Sequence, residues 1–324
     1  MEFTATVAGD TFYLSWSSRS PSTEQDLHRL GGDWEDFNVY RFGFDEITVK
    51  NVLKYAKMNG QLKYAGNSLD LIKAMVKKAR NAEKLTKGDA DAEISPLLKK
   101  YAPRTAKALR PYQRAGVKFL ATNDSSLLAD QPGLGKTVTT ISSIISAGVT
   151  GDILVLAPTV AANISWPEEL RKWAPKDETI VVAGNRKKRE EALAKLTKKS
   201  HAPRRWVFCN TEMVRTNYVE KHVDDEGRVF PAKYTHHYPE LFYLTKDQKQ
   251  PREWSAIIVD EAHNALITDK SQAYKQTLTR RGFTKLSTKP GGKRIAISGT
   301  PFRGKPQNLW GILNWLFPDT YKSY

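Results

Sequence analysis

The chain is 324 residues long and 40% hydrophobic, with 51 Lys and Arg against 35 Asp and Glu, a formal charge of +16. That length supports about two domains with a sizeable core, and a lone cysteine, Cys209 in the apolar string WVFC, excludes a disulfide framework and reads as an unreactive buried thiol. No apolar run approaches the roughly 18 residues of a membrane span, and MEFTATVAGD lacks a basic, signal-like start, so the expectation is a cytoplasmic protein with no membrane role and a positive field that draws polyanions.

Residues 1–85 alternate the strand-like FTATVAG, TFYLSWSS and NVYRFGF with the helix-like ITVKNVLKYAKM and SLDLIKAMVKKARNAEKL, predicting a small α+β domain of short strands and two helices. In the second helix Leu69, Ile72, Met75 and Val76 share one face, which leaves Lys73, Lys77, Lys78 and Arg80 to solvent. Residues 1–50 carry 4 basic and 9 acidic groups, the reverse of residues 251–324 with 12 and 5. Residues 86–106, TKGDADAEISPLLKKYAPRTA, read as a linker.

From residue 107 the pattern changes. The apolar runs SLLAD, DILVLAP, TIVVAG, RWVFCN, SAIIVD and RIAISG each end in a small, polar or proline residue, with helix-like segments between most of them. This predicts a parallel α/β sheet whose ligands gather at the carboxyl ends of the strands. Asn-Arg-Lys-Lys-Arg at 185–189 opens a helix and reads as a solvated basic start rather than a phosphate contact. Residues 216–254 form a polar, aromatic-bearing insertion whose His222, His236 and His237 lack metal-ligand spacing. Trp206 and Trp254 flank apolar runs and read as core.

Three stretches carry chemistry. In LLADQPGLGKTVTT, 127–140, a strand feeds Gly-Leu-Gly-Lys-Thr and then a helix. Gly133 and Gly135, with Leu134 between them, let backbone N–H groups turn to phosphate oxygens at a helix N-terminus. Lys136 would neutralise the β/γ-phosphates of a nucleotide and Thr137 would ligate Mg²⁺. The following position, 138, is placed in the same nucleotide-binding turn and holds Val138. The usual spacing wants a glycine six positions before the lysine, where this chain has Asp130. In IIVDEAH, 257–263, Asp260 at the end of a buried strand would hold the Mg²⁺ shell while Glu261 polarises the attacking water. ISGTP, 297–301, closes another apolar strand with hydroxyl residues.

Together with LRPYQRAGVKFL at 109–120, these segments resemble the first RecA-like lobe of superfamily 2 helicases, in particular Snf2-like ATP-dependent DNA translocases. The resemblance covers residues 107–324 and implies a P-loop NTPase lobe, a parallel sheet with helices on both faces, that binds ATP and Mg²⁺. By this likeness Gln113 and Arg110 serve the adenine end, His263 signals between sites, and Ser298 and Thr300 link ATP to DNA. The family's nucleic-acid motifs match Ala-Pro158-Thr159 and Cys-Asn210-Thr211-Glu, and Arg303 and Lys305 are further DNA candidates. SWPEELRKWAP and NLWGILNWLFPD are similar to the family's Trp-rich helix and lobe-closing helix. Aspartate at 130 is no departure within this group. The family's second lobe, which supplies arginines to the phosphoryl group, is not expected within these residues; it would come from a full-length chain or a partner subunit. The first domain resembles the small substrate-recognition domains before the motor in annealing helicases, which implies branched-DNA binding. The alternatives are a non-hydrolysing nucleic-acid-binding or regulatory module, or the motor subunit of a restriction system.

Overall fold

The computed structural model describes residues 1–324 except 10, 19, 87–91, 220–221, 224–228, 231–232, 246, 268–276, 303–305 and 323–324. It divides into two compact units, Met1–Lys87 and Gly88–Tyr324.

The first unit runs β1 (Glu2–Ala8), β2 (Thr11–Trp16), α1 (Pro21–Arg29), β3 (Asp33–Asp36), β4 (Val39–Gly43), α2 (Glu46–Asn59), β5 (Gln61–Tyr64) and α3 (Ser68–Thr86). Its sheet has the order β3-β4-β2-β1-β5, antiparallel except where β5 joins β1. Strict alternation on β1 and β2 sends Phe3, Ala5, Phe12, Leu14 and Trp16 into one core with Leu27, Val49, Val52 and Ile72. Two readings change here. A third helix, α1, escapes the apolar pattern because only Thr23 and Leu27 are buried on it; its signal is the cap, Ser20 Oγ accepting the Thr23 N–H, with Pro21 in the first turn. On α3 Leu69 faces solvent, since Ser68 beside it turns inward and its hydroxyl accepts the Val7 N–H at 3.0 Å.

The second unit begins with α4 (Pro96–Tyr101), α5 (Pro103–Ala108) and α6 (Pro111–Thr122), followed by β6 (Ser125–Leu128), α7 (Lys136–Ser146) and β7 (Gly151–Ala157). A π-helical turn, Ala161–Ser165, leads into α8 (Trp166–Trp173); then come β8 (Glu178–Val182), α9 (Arg186–Ala194) and β9 (Arg204–Asn210). The insertion supplies β10 (Thr216–Val219), β11 (His222–Val223), β12 (Val229–Phe230) and β13 (Lys233–His236), paired as two antiparallel ribbons, β10 with β13 and β11 with β12. The unit closes with β14 (Glu253–Val259), α10 (Ala262–Ala265), α11 (Leu278–Lys285), β15 (Ser287–Ile297) and α12 (Pro306–Leu316).

Six strands form one parallel sheet in the order β6-β15-β14-β7-β9-β8. Both faces are covered, which is why the strands read as unbroken apolar runs. Along β7, Leu154 and Leu156 pack with α9 and α12 residues, while Ile153, Val155 and Ala157 pack with α6, α7 and α8. Trp206 and Trp254 are fully buried, one in each layer. Cys209 is fully buried as well, and burial pushes its thiol well above the usual range. The segment read as a linker is instead partly helical core: Ser95 and two prolines start α4 and α5, whose Leu98, Ala102 and Ala106 pack beneath α7. Each helix is only 6 residues long, too short for its apolar face to show as a period. Among the described residues no helix is long and apolar enough to cross a membrane.

Buried cations hold the edges. Arg204 at the start of β9 meets Asp177 at 2.7 Å, both side chains almost fully enclosed, and the same carboxylate accepts the Trp206 indole N–H. Removing one member of such a pair strands the other, a loss of about 3–5 kcal/mol. Asp177→Ala should therefore lower stability in urea unfolding by about that amount, whereas Asp177→Leu combined with Arg204→Met should recover most of it.

Candidate active site

Every strand of the large sheet points the same way, so the loops after β6, β14, β15, β7 and β9 share one edge. The loop after β6 turns through Gly133 and Gly135, with φ of +83° and +76°, a region where a side chain is strained. Gly135 is also the N-cap of α7. The Lys136 ammonium donates to the carbonyl oxygens of Asp130 and Gln131 at 2.9 and 3.2 Å, so Asp130 takes part through its backbone.

The loop is braced from α6. Gln113 donates from Nε2 to the Leu134 carbonyl at 3.1 Å, its Oε1 accepts the Arg110 backbone N–H, and Tyr112 Oη donates to the same Leu134 oxygen. Gln113 and Arg110 thus stand beside the phosphate loop, with the Gln113 amide engaged at both ends in shaping it. Tyr112, which the sequence did not single out, completes the brace. Val138 has an aliphatic side chain that is buried in the core below α7, so position 138 offers no polar side chain to a nucleotide.

At the end of β14, Asp260 Oδ2 accepts the Trp166 indole N–H at 2.9 Å and its Oδ1 accepts the Glu261 N–H. One bond per oxygen leaves lone pairs for a hard cation, and the partly exposed carboxylate together with the Thr137 hydroxyl at the head of α7 is an oxygen donor set that suits Mg²⁺. Glu261 adopts a left-handed conformation, φ 48° and ψ 44°, uncommon for a residue with a side chain and frequent at functional turns. Its carboxylate lies 3.3 Å from His263 Nδ1, which hydrogen-bonds Ser298 Oγ at 2.7 Å. Ser298 Oγ also accepts the Thr300 N–H. Next to it, a Cβ placed on Gly299 would lie 3.1 Å from the Pro132 ring and 3.6 Å from Lys136 Nζ. The turn after β15 is thereby wedged between the phosphate loop and the acidic pair.

The strand ends farther along carry the expected nucleic-acid residues. Pro158 and Thr159 are exposed after β7, and Asn210 Nδ2 donates to Thr159 Oγ1 across to β9, with Thr211 Oγ1 3.4 Å from the Asn210 amide oxygen. Arg303 and Lys305 lie outside the described residues. Trp166, read from the sequence only as part of a Trp-rich helix, is brought to the site by its bond to Asp260; it stands eight residues after Pro158.

A glycine-rich turn capping a helix, an acidic pair at a neighbouring strand end and a hydroxyl turn between them, on a parallel sheet covered on both faces, define a P-loop NTPase lobe of the RecA-like type. The profile of the SNF2-related domain matches residues 112–324, and the chain belongs to that family. It is 28% identical over 223 residues to the ISWI chromatin-remodeling complex ATPase ISW1 of Saccharomyces cerevisiae, covering 66% of this chain and 16% of that protein. It is likewise 28% identical over 239 residues to the ATP-dependent DNA helicase DDM1 of Arabidopsis thaliana, covering 72% and 26%. The chain therefore spans about a quarter or less of the length of these curated relatives. A solved Sulfolobus solfataricus SWI2/SNF2 ATPase core in complex with dsDNA aligns with TM-score 0.42 and 22% identity over 71% of this chain and 39% of that one.

The brace on Gly135 is testable. A Cβ there would sit 2.5 Å from Gln113 Nε2 in a left-handed conformation that itself strains a side chain by about 1–3 kcal/mol. Gly135→Ala should weaken nucleotide binding about tenfold or more in a fluorescent-nucleotide titration. Gly133→Ala, where the added carbon meets open space, should show the backbone strain alone and a smaller loss.

Proposed function

We propose that this chain is the nucleotide-hydrolysing lobe of an ATP-dependent DNA translocase. The observation that carries the reading is the close approach of the Gly299 turn to Lys136, together with the bonds that run from Ser298 through His263 to Glu261 and Asp260. It supports a reading in which an ammonium that neutralises phosphate, a carboxylate that holds a cation and a carboxylate that orients water act together.

In this reading Lys136 and the backbone N–H groups of the Gly133–Gly135 turn hold the β- and γ-phosphates, and Thr137 with Asp260 holds Mg²⁺. When bound, Mg²⁺ supplies neutralisation of the charge on the β/γ oxygens. Glu261 orients the attacking water, and the Arg110 and Gln113 end of α6 lies toward the adenine. His263 reports the state of Glu261 to Ser298 and Thr300, whose strand end adjoins the phosphate loop. Pro158, Thr159, Asn210 and Thr211, with Arg303 and Lys305, contact DNA backbone phosphates, a sequence-independent grip suited to moving along a duplex. Trp166 gives the DNA-facing loop a direct route to the site, since its indole holds the Asp260 carboxylate. A second RecA-like lobe, in the full-length chain or a partner subunit, contributes arginines worth about 10³–10⁵ in rate in related phosphoryl transfers.

The first unit is read as a recogniser of forked or branched DNA, supported by the likeness stated for its sequence and by the exposed Lys73, Lys77, Lys78 and Arg80 along α3. Deleting residues 1–85 should weaken binding to a fork more than to a plain duplex; equal affinity for the fork with and without them would remove this assignment.

The central experiment is ATP turnover with and without duplex DNA. Glu261→Gln should bind ATP like the parent yet lower DNA-stimulated turnover by about 10² or more, the usual contribution of a group that handles the attacking water's proton. Trp166→Phe keeps the ring and removes the N–H to Asp260, and should reduce the DNA stimulation more than the basal rate. A Glu261→Gln variant as active as its parent would reject the hydrolytic reading.

A further inference from the structure

Beside the Thr159–Asn210 contact, at the carboxyl end of β9, lies a cavity of about 370 Å³ lined by Arg189, Asn210, Glu212, Arg215, His237 and Tyr238 among others. Its walls come from three separate segments: α9, the turn after β9, and the insertion, through Asn217 of β10 and His237 and Tyr238 just after β13. None of the nucleotide-binding motifs lies on α9 or in the insertion, so the cavity is separate from the candidate nucleotide site.

The charge of its walls is unusual for this chain. Arg204, Arg205 and Arg280 are consumed by buried carboxylates or carbonyl groups, and Arg186, at the first position of α9, pairs with Glu190 at 2.7 Å. Arg189 is different. Its Nη1 donates to Tyr238 Oη at 3.1 Å, which pins the guanidinium against the cavity wall through a neutral partner. Arg215 is exposed. Among the described residues neither guanidinium has a carboxylate within ion-pair distance, and Glu212 is the single acid on the wall. Two unneutralised guanidinium groups facing one cavity, beside an amide, form a receptor for a phosphate, whose oxygens match the planar guanidinium fork.

The ring content argues for a backbone phosphate rather than a mononucleotide. Tyr238 is buried with its hydroxyl engaged, so its ring offers no face for a base to stack on, and the exposed His237 stands at 78° to it. The cavity also adjoins Asn210, whose partner Thr159 stands on the neighbouring strand end. We propose that this cavity is a phosphate subsite in which Arg189 and Arg215 hold a phosphodiester of the DNA backbone, one step beyond the Thr159–Asn210 contact. The inference rests on the DNA-translocase reading of the lobe. It also gives the insertion a role, because Tyr238 orients Arg189.

The test is fluorescence anisotropy of a labelled duplex with the whole chain, across a series of salt concentrations. Arg215→Gln and Arg189→Gln should each lower the slope of log affinity against log salt by about 1, the change for one lost phosphate contact, while nucleotide affinity stays at the parent value. Arg215→Lys should retain most of the slope. Tyr238→Phe should act like a weaker Arg189→Gln. Arg215 is exposed, so its variants report binding even if replacing Arg189 disturbs the fold. If Thr159→Ala weakens DNA binding but the arginine variants keep the parental slope and affinity, the subsite is refuted and the DNA reading stands. If the parent shows no salt-dependent DNA binding, both fall. A parental affinity for inorganic phosphate that the arginine variants lose, with DNA curves unchanged, would assign the cavity to a free anion and overturn the backbone assignment.

Discussion

The hydrogen bond between His263 and Ser298 joins the ends of two adjacent parallel strands, and the candidate site depends on that junction. β14 delivers the acids and β6 the phosphate loop, yet the two strands are not neighbours; β15 runs between them. A third strand end must therefore fill the gap, and Ser298-Gly299-Thr300 does so. The serine faces the acids through His263, and the glycine brings the backbone within van der Waals reach of Pro132 and Lys136. A side chain at position 299 would press on the proline ring and push the phosphate loop away. The sheet order and the Ser-Gly-Thr sequence are two aspects of one constraint.

A second constraint couples the sheet's far strands to the same acids. The loop after β7 passes through a π-helical turn before α8, a local irregularity that is rare and frequent at functional positions. The turn sets the phase of α8 so that Trp166 is nearly fully buried with its indole N–H on Asp260. The same tryptophan packs against Phe208 of β9. The surface read as facing DNA and the carboxylate read as holding the metal thus share one rigid side chain, and any shift of the Pro158–Val160 segment is felt at Asp260 as a changed hydrogen bond.

Much of this was legible because buried parallel strands write themselves as apolar runs with a polar residue at each carboxyl end. SLLAD, SAIIVD and RIAISG announced three strand ends, and the phosphate loop, Asp260-Glu261 and Ser298 fell on them. What escaped lies where the pattern is short or the partner distant in sequence. α1, α4 and α5 are single-purpose helices with few buried residues, readable only from Ser20, Ser95 and their following prolines. The roles of Gln113 and Trp166 depend on partners 21 and 94 residues away, and no local spacing records such a pairing. Position 138, placed with the nucleotide by its neighbours, belongs to the core because α7 turns that side of its first helical turn toward the sheet.

The net charge of +16 overstates what the surface offers to a polyanion, and the structure shows where the difference goes. Lys293 caps the end of α6 on the carbonyl groups of Ala121 and Asn123. Arg205 clamps Asp152 in a bidentate pair. Arg280 is buried among the carbonyl groups of Leu266 and Gly311; burial pushes it down to about 10, so it remains charged at neutral pH and is held by its hydrogen bonds. These cations stabilise strand and helix ends through bonds within the chain. In the proposed reading, attraction to DNA comes from the smaller exposed set, and the places where such side chains stand together, along α3 and at the carboxyl end of β9, say more about a polyanionic partner than the total charge does.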